Sequence, residues 1–251
     1  MDAEPLGLRR VFALNIRVRF EKHGPMKYIG HLDIMRYFQK AIKRAEIDIA
    51  YSEGFNPHQI MSFAAPLGVG ITSSGEYIDL GVNTTMSSKA AIDALNSVMV
   101  EDIVITGYKL LPDNTPNAMS AVAAADYVVT SKNTFSSVCS HKKMLDDKSR
   151  WFDEAKELIV TKPTKKGTAD VDLKALVYNF EIESDENSPV FKLFLASGSE
   201  NNIKPDFVIE KFYEYIKIPF DVLDFNIHRN DIYTKVDDKF VSLNDVGEEI
   251  V

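Results

Sequence analysis

Cysteine is almost missing from this chain: Cys139 stands alone among 251 residues. One thiol excludes an internal disulfide, and it cannot build a multi-cysteine zinc or iron–sulfur site. If such a cluster takes part in this protein's chemistry, another chain supplies it. Cys139 itself reads as an inert small hydrophobe. Long apolar runs are missing too. No stretch reaches the roughly 18 residues that a membrane-crossing helix needs, so no membrane contact is expected. Met1 to Arg10 lacks the apolar centre of a secretory signal, and a reduced lone thiol fits a cytoplasmic setting. Several strong signatures are also absent: GxxxxGK followed by Ser or Thr, GxGxxG after a strand, HExxH, and GxSxG. Phosphate-loop hydrolases, dinucleotide enzymes, zincins and the common serine hydrolases are thereby disfavoured, and no cofactor or metal is implied.

Positive charge is scarce overall, with a formal net charge of −8, but it is unevenly spread. Residues 7–60 carry ten Lys and Arg against five Asp and Glu, whereas residues 61–131 carry two against seven. An acidic body is a poor non-specific binder of nucleic acid, yet a basic first quarter can still form a directed anion-binding face. Apolar residues make up 45% and charged residues 26%, the balance of a globular protein long enough for two domains.

The apolar pattern gives the architecture. Val11 to Phe20 alternates as a half-buried strand, and His23-Gly24-Pro25 breaks it. Gly30 to Ala45 reads as a helix with Leu32, Met35, Phe38, Ile42 and Ala45 on one side and Arg36, Lys40, Lys43 and Arg44 on the other. Strands follow over Ile47–Tyr51, Gln59–Ala65 and Glu76–Val82, then a helix capped by Ser87 or Ser88, then a strand over Ile103–Leu111. The order is β-α-β-β-α-β, a ferredoxin-like arrangement. Pro112 to Asn117 is a linker signal, after which a similar pattern recurs. It runs through a strand at Asp126–Ser131, a weak helix at Asn133–Leu145, a hairpin around Asp185–Ser188 and a helix opening at Pro205, to a strand region over Val222–Val236. The expected fold is therefore α+β, two tandem ferredoxin-like domains with antiparallel sheets. Their bounds are 11–112 and 124–240, with a linker at 113–123, an insertion at 162–175 and a loose acidic tail over 241–251.

Four segments could carry chemistry. In residues 22–36 a helix start offers bare amides to an anion, with Lys22 and Lys27 just before it, Tyr28 beside them, and His31, Asp33 and Arg36 in its opening turns. A Gly-Pro turn with solvated lysines is the plainer account. Residues 51–58 form a tight turn with Phe55, Asn56 and His58; a metal site would need His31, His58 and Asp33 to converge. Residues 162–174 carry the basic turn Lys165-Lys166 and the pair Asp170 and Asp172, which reads either as acid–base or hard-metal chemistry or as a charged surface hairpin. The fourth segment is residues 201–206 and 226–231, NNIKPD and NIHRND, where Arg229 is an anion clamp or a strand-surface charge.

These residues resemble those of the radical-SAM-linked protein family, a bacterial domain of unknown function. The likeness lies in Lys22-His23-Gly24, Tyr28-Ile29-Gly30-His31-Leu32-Asp33 with Arg36, Tyr51-Ser52-Glu53-Gly54-Phe55-Asn56-Pro57-His58, Pro66-Leu67-Gly68-Val69-Gly70 and Gly75-Glu76-Tyr77. More loosely it extends to Lys165-Lys166-Gly167, Val171-Asp172, Asn202-Ile203-Lys204-Pro205 and Arg229. It implies a partner, a radical S-adenosylmethionine enzyme encoded nearby or fused, and it implies no reaction. Two functions follow as expectations. The first is a binding module for RNA or another phosphate-bearing substrate, held in a groove between the domains. Lys22, Lys27, Arg36 and Lys40 would meet phosphates there, and Tyr28 and Phe55 would stack on bases. The second is a metal-independent endoribonuclease with His31 as general acid or base.

Overall fold

The computed structural model describes residues 13–164, 167–185, 187–199 and 201–251. Val11 of the first expected strand and the lysines of the basic turn, Lys165 and Lys166, lie outside them. Strand β1 spans Leu14–Lys22, and Ile16, Val18 and Phe20 point to the helix side, each at most 2% exposed. Helix α1 spans His31–Arg44 and buries Ile34, Phe38, Ala41 and Ile42, a stripe at four-, three- and one-residue steps. Leu32, expected inside, is exposed, because the inward stripe starts at Ile34. The expected strand at Ile47–Tyr51 makes only two isolated bridges, Ile49 to Val82 and Tyr51 to Gln59. The second strand proper, β2, is Met61–Phe63, and β3 follows at Thr72–Val82. Helix α2 is Ser88–Val98; its first turn is closed by Ser87, whose hydroxyl accepts from the Ala90 amide, a cap of about 1 kcal/mol. Strand β4, Ile103–Leu110, completes the first block.

The second block opens with a short helix α3 at Ala118–Ala121, strand β5 at Ala124–Ser131, and two helical pieces, α4 at Phe135–Val138 and α5 at His141–Lys148. The insertion is a hairpin of β6, Ile159–Thr164, and β7, Gly167–Asp172, forming its own two-stranded sheet, and α6, Leu173–Leu176, follows it. Strands β8, Val177–Asp185, and β9, Ser188–Ala196, precede helix α7, Pro205–Ile216, which buries Phe207, Val208, Ile209, Phe212 and Tyr213. Strand β10 is Phe225–Val236, β11 is Lys239–Ser242 and β12 is Glu248–Glu249.

All but β6 and β7 join one mostly antiparallel sheet in the order β12-β4-β1-β3-β10-β5-β9-β8, with β2 on β3 and β11 on β10. Within it, β4-β1-β3-β2 and β10-β5-β9-β8 each follow the order fourth, first, third, second of their own block. That order arises when two parallel strands of a split β-α-β are separated by an antiparallel third. The blocks meet where β3 and β10 run parallel over two residue pairs, Thr72 with His228 and Ser73 with Arg229. Each block has a separate apolar core, one around Phe38, Ile78 and Leu95, the other around Phe180, Phe191 and Phe212.

The connecting and terminal segments are tied down. The turn after Pro112 is fastened to the first block: the Ala118 amide donates to Asp79 at 2.6 Å, and Asp79 is held by Arg17 at 2.8 Å. The chain end is not a loose tail either. Leu243 is fully buried, β12 adds to the edge of β4, and Ile250 exchanges hydrogen bonds with Ser88. Main-chain pairing outweighs the acidic composition there, since an open sheet edge otherwise leaves amides and carbonyls unmatched.

Candidate functional site: a cleft above a buried charge group

The entrance to α1 is closed against the protein. Lys22 is 3% exposed, and its ammonium donates to the Ile29 carbonyl at 2.9 Å, tying the end of β1 to the Gly24–Tyr28 turn. The His31 ring lies edge-on to Phe63, with centroids 5.3 Å apart. The recess between them, lined by Phe20, Lys22, His31, Ile34 and Glu76 among others, holds only about 20 Å³. The expected anion pocket at this helix start is therefore filled by the chain's own side chains. Burial lowers the basicity of both Lys22 and His31; in each case nearby Glu76 opposes that effect.

Glu76 is the hub. Arg229, also 3% exposed, grips it through Nε at 2.8 Å and Nη2 at 2.5 Å, and donates to the Ala65 carbonyl at 3.2 Å. Arg229 is thus neither a free anion clamp nor a strand-surface charge. Lys22, Glu76 and Arg229 together leave one positive charge in excess under the junction of the two blocks. All three continue an inward strand alternation: Phe20 to Lys22, Val82-Leu80-Ile78 to Glu76, and Phe225-Ile227 to Arg229. That pattern was the available signal for this group.

Above Arg229 opens a cleft of about 520 Å³. One wall is the loop Pro66-Leu67-Gly68-Val69 with Ile71; the other is Asn202-Ile203-Lys204-Pro205 leading into α7, with Ser197 to Ser199 and Val222. Tyr127 and Ile227 contribute from the sheet, and Met119 and Val122 from the segment joining the blocks. The first wall is braced from behind, where the Gly70 amide donates to the Lys27 carbonyl at 2.8 Å. Lys204 precedes α7 with no side-chain cap and is exposed, so its charge and the helix's positive end both face the opening. The volume is that of a small-ligand site, mostly apolar with a few polar groups. Sequence reading reached Lys204 as part of the segment 201–206 and again through the family likeness.

The other candidate residues are scattered. The Lys27 ammonium lies 5.2 Å from the centre of the exposed Tyr28 ring. Asp33 and Arg36 form an exposed ion pair at 3.2 Å. Phe55 is wholly exposed, and Asn56 beside it is exposed. His58 is engaged by Ser52, whose hydroxyl sits 2.8 Å from Nδ1. Among the described residues no three His, Cys, Asp or Glu are grouped so that they could hold a metal ion, so His31, Asp33 and His58 form no such site. Asp172 is a cap, accepting from the amides of Leu158 and Lys174 at 2.8 and 2.9 Å; Asp170 pairs with Thr161 across the hairpin. Both carboxylates are spent on local structure. Among the described residues no helix is long and apolar enough to cross a membrane.

Residues 15–205 match the family model DUF2344, described as an uncharacterized protein conserved in bacteria. The chain belongs to this family. The DUF2344 match includes the first wall and the second wall up to Pro205, but stops short of Val222 and of Arg229, which comes from the last long strand. None of the curated proteins matches the chain. Among solved structures it is similar to a chain of a Cbf5-Nop10-Gar1 complex, at 10% identity and a TM-score of 0.47. That likeness covers 92% of this chain and 55% of the other, so this chain spans about half the length of that structure's chain.

Proposed function

We propose that this protein is a binding module that holds an anionic, phosphate-bearing ligand, an RNA segment in the leading case, in the cleft between its two blocks. The observation that carries the reading is Arg229, a buried cation in the lining of an opening between the two blocks, within a group of Lys22, Glu76 and Arg229 whose formal charges sum to one positive. A fixed charge under low-dielectric walls favours an anion more than the same charge would at an open surface. Lys204 adds to it at the rim. Lys27, Arg36 and Lys40 are the cations available to extend the contact along α1, and Tyr28 and Phe55 are the rings available to stack on bases. The partner in this proposal is a radical S-adenosylmethionine enzyme. Its support is the sequence resemblance, together with a single cysteine that cannot hold a cluster here.

The test is filter binding of tRNA across a salt series. Affinity is expected to fall steeply with salt, and Lys204→Ala to make the salt slope shallower by about one unit. Salt-independent retention, or equal retention by the variant, would sink the proposal. The alternative, an endoribonuclease using His31, finds less support, because a ring packed on Phe63 in a recess of about 20 Å³ has no room for a scissile phosphate. Bound RNA is expected to be recovered intact. Cleavage that disappears in His31→Ala would reinstate that alternative.

A further inference from the structure

The sheet of the second block carries a further recess, away from its buried core. A recess of about 600 Å³ is lined by Asp126 and Val128 of β5, Lys192 and Phe194 of β9, Asn230 and Tyr233 of β10, and Phe240 of β11, among others. Its aromatic wall is continuous. Tyr233 and Phe240 stand nearly perpendicular to the Phe194 ring, with centroids at 5.1 and 4.9 Å, and Tyr178 packs on both Phe194 and Phe240 at 5.6 and 4.8 Å. None of these rings belongs to the buried cores of the two blocks.

The charged side chains lining the recess are Asp126 and Lys192. Asp126 accepts from the Asp231 amide at 2.8 Å and from the Asn230 side chain at 3.2 Å, which leaves its carboxylate with further acceptor capacity. Burial holds the Asp126 carboxyl above the usual carboxylate range, and the charge of Asp231 adds to this. Burial also pushes the Tyr233 hydroxyl up to about 12, with the carboxylates of Asp126, Asp231 and Asp245 reinforcing it against Arg19. The lysine in the lining, Lys192, is neutralised by Glu183 at 2.6 Å. A phosphate entering here would meet the Asp126 carboxylate. A cation would meet aromatic faces and an under-used carboxylate, the combination that binds organic ammonium groups.

We propose that this recess is a binding site for a primary ammonium group, carried either by a polyamine or by a lysine side chain. The ammonium sits against Asp126 and over the Tyr233 and Phe194 rings. It is separate from the cleft between the blocks, so either site can fail without the other.

The experiment is calorimetric titration of the full chain with spermidine and, separately, with Nα-acetyl-lysine amide, at ionic strength matched with sodium chloride. Saturable binding of at least one probe is expected, and the tighter of the two identifies the source. Asp126→Asn, which keeps an acceptor for the Asp231 amide, is expected to weaken binding by about tenfold. Tyr233→Leu should do the same, and Tyr233→Phe, which keeps the ring, should restore binding. A heat signal no different from sodium chloride overturns the proposal. So does binding unchanged in both Asp126→Asn and Tyr233→Leu, and so does saturation by oligouridylate in place of the ammonium probes.

Discussion

Replacing Glu76 with alanine removes the carboxylate that separates two buried cations. The Arg229 and Glu76 side chains are 3% and 4% exposed, so water cannot take over the lost role. Lys22, already weakened as a base by burial, can shed its proton, but a guanidinium cannot. The cost is therefore that of an uncompensated buried arginine, about 3–5 kcal/mol. Against a total stability of about 5–15 kcal/mol this is a large fraction. In a chain of this size it lowers Tm by about 6–20 °C. Urea unfolding followed by Trp151 fluorescence measures it, since that indole is 6% exposed in the second core and contacts Phe212. The double change Glu76→Leu with Arg229→Met removes both charges and should cost under about 2 kcal/mol, because apolar replacement of a buried pair is often near neutral. A single-variant loss below about 1 kcal/mol, or a double variant as unstable as the two singles combined, would refute the role given to Glu76.

His31 and His228 both titrate below 6.5 in the folded chain, chiefly through burial. Between their folded values and 6.5 the unfolded chain binds more protons, so stability is full above about pH 6.5 and is lost as pH falls through that window. Thermal melts from pH 7.5 down to 5.5 should show a falling Tm, and His228→Gln should flatten the fall; a Tm that rises on acidification contradicts the assignment. Gly24→Ala should destabilise the chain by about 1 kcal/mol or more, because φ is +47° there and a Cβ would run into the Asp102 carboxylate. Equal urea midpoints for variant and parent would show that the turn gives way. Asp172→Ala orphans two backbone donors and should cost about 1–2 kcal/mol, with ligand binding untouched. A binding defect in that variant would return Asp172 to the functional set.

Strand alternation made most of the sheet legible: β1, β3, β4, β5 and β10 sit close to where period-two patterning puts them. Short elements were less so, although β2 lies within the strand expected at Gln59–Ala65. Residues 47–51 alternate as a strand should, yet they bridge through single contacts, since pairing depends on what runs alongside and not on local pattern. The site was misread for a related reason. Lys22 reads from sequence as a loop lysine and Arg229 as a clamp or a surface charge, and Glu76 as a strand end with no partner, whereas each occupies the next inward position of its strand. The bond that makes such a position tenable joins residues 153 apart, a distance at which single-sequence patterns are silent. The two walls of the cleft are likewise separate segments that meet only in the folded chain.

The short parallel seam between β3 and β10 has a consequence for anyone hoping to work with half of this protein. It makes the two blocks neighbours in one ribbon of backbone rather than beads on a string. Cutting the chain near residue 112 would strip β10 from β3 and leave two sticky flanks, each inviting pairing with a stranger. It would also leave Glu76 with Lys22 in one fragment and Arg229 in the other, so the second piece would inherit a buried charge with no mate.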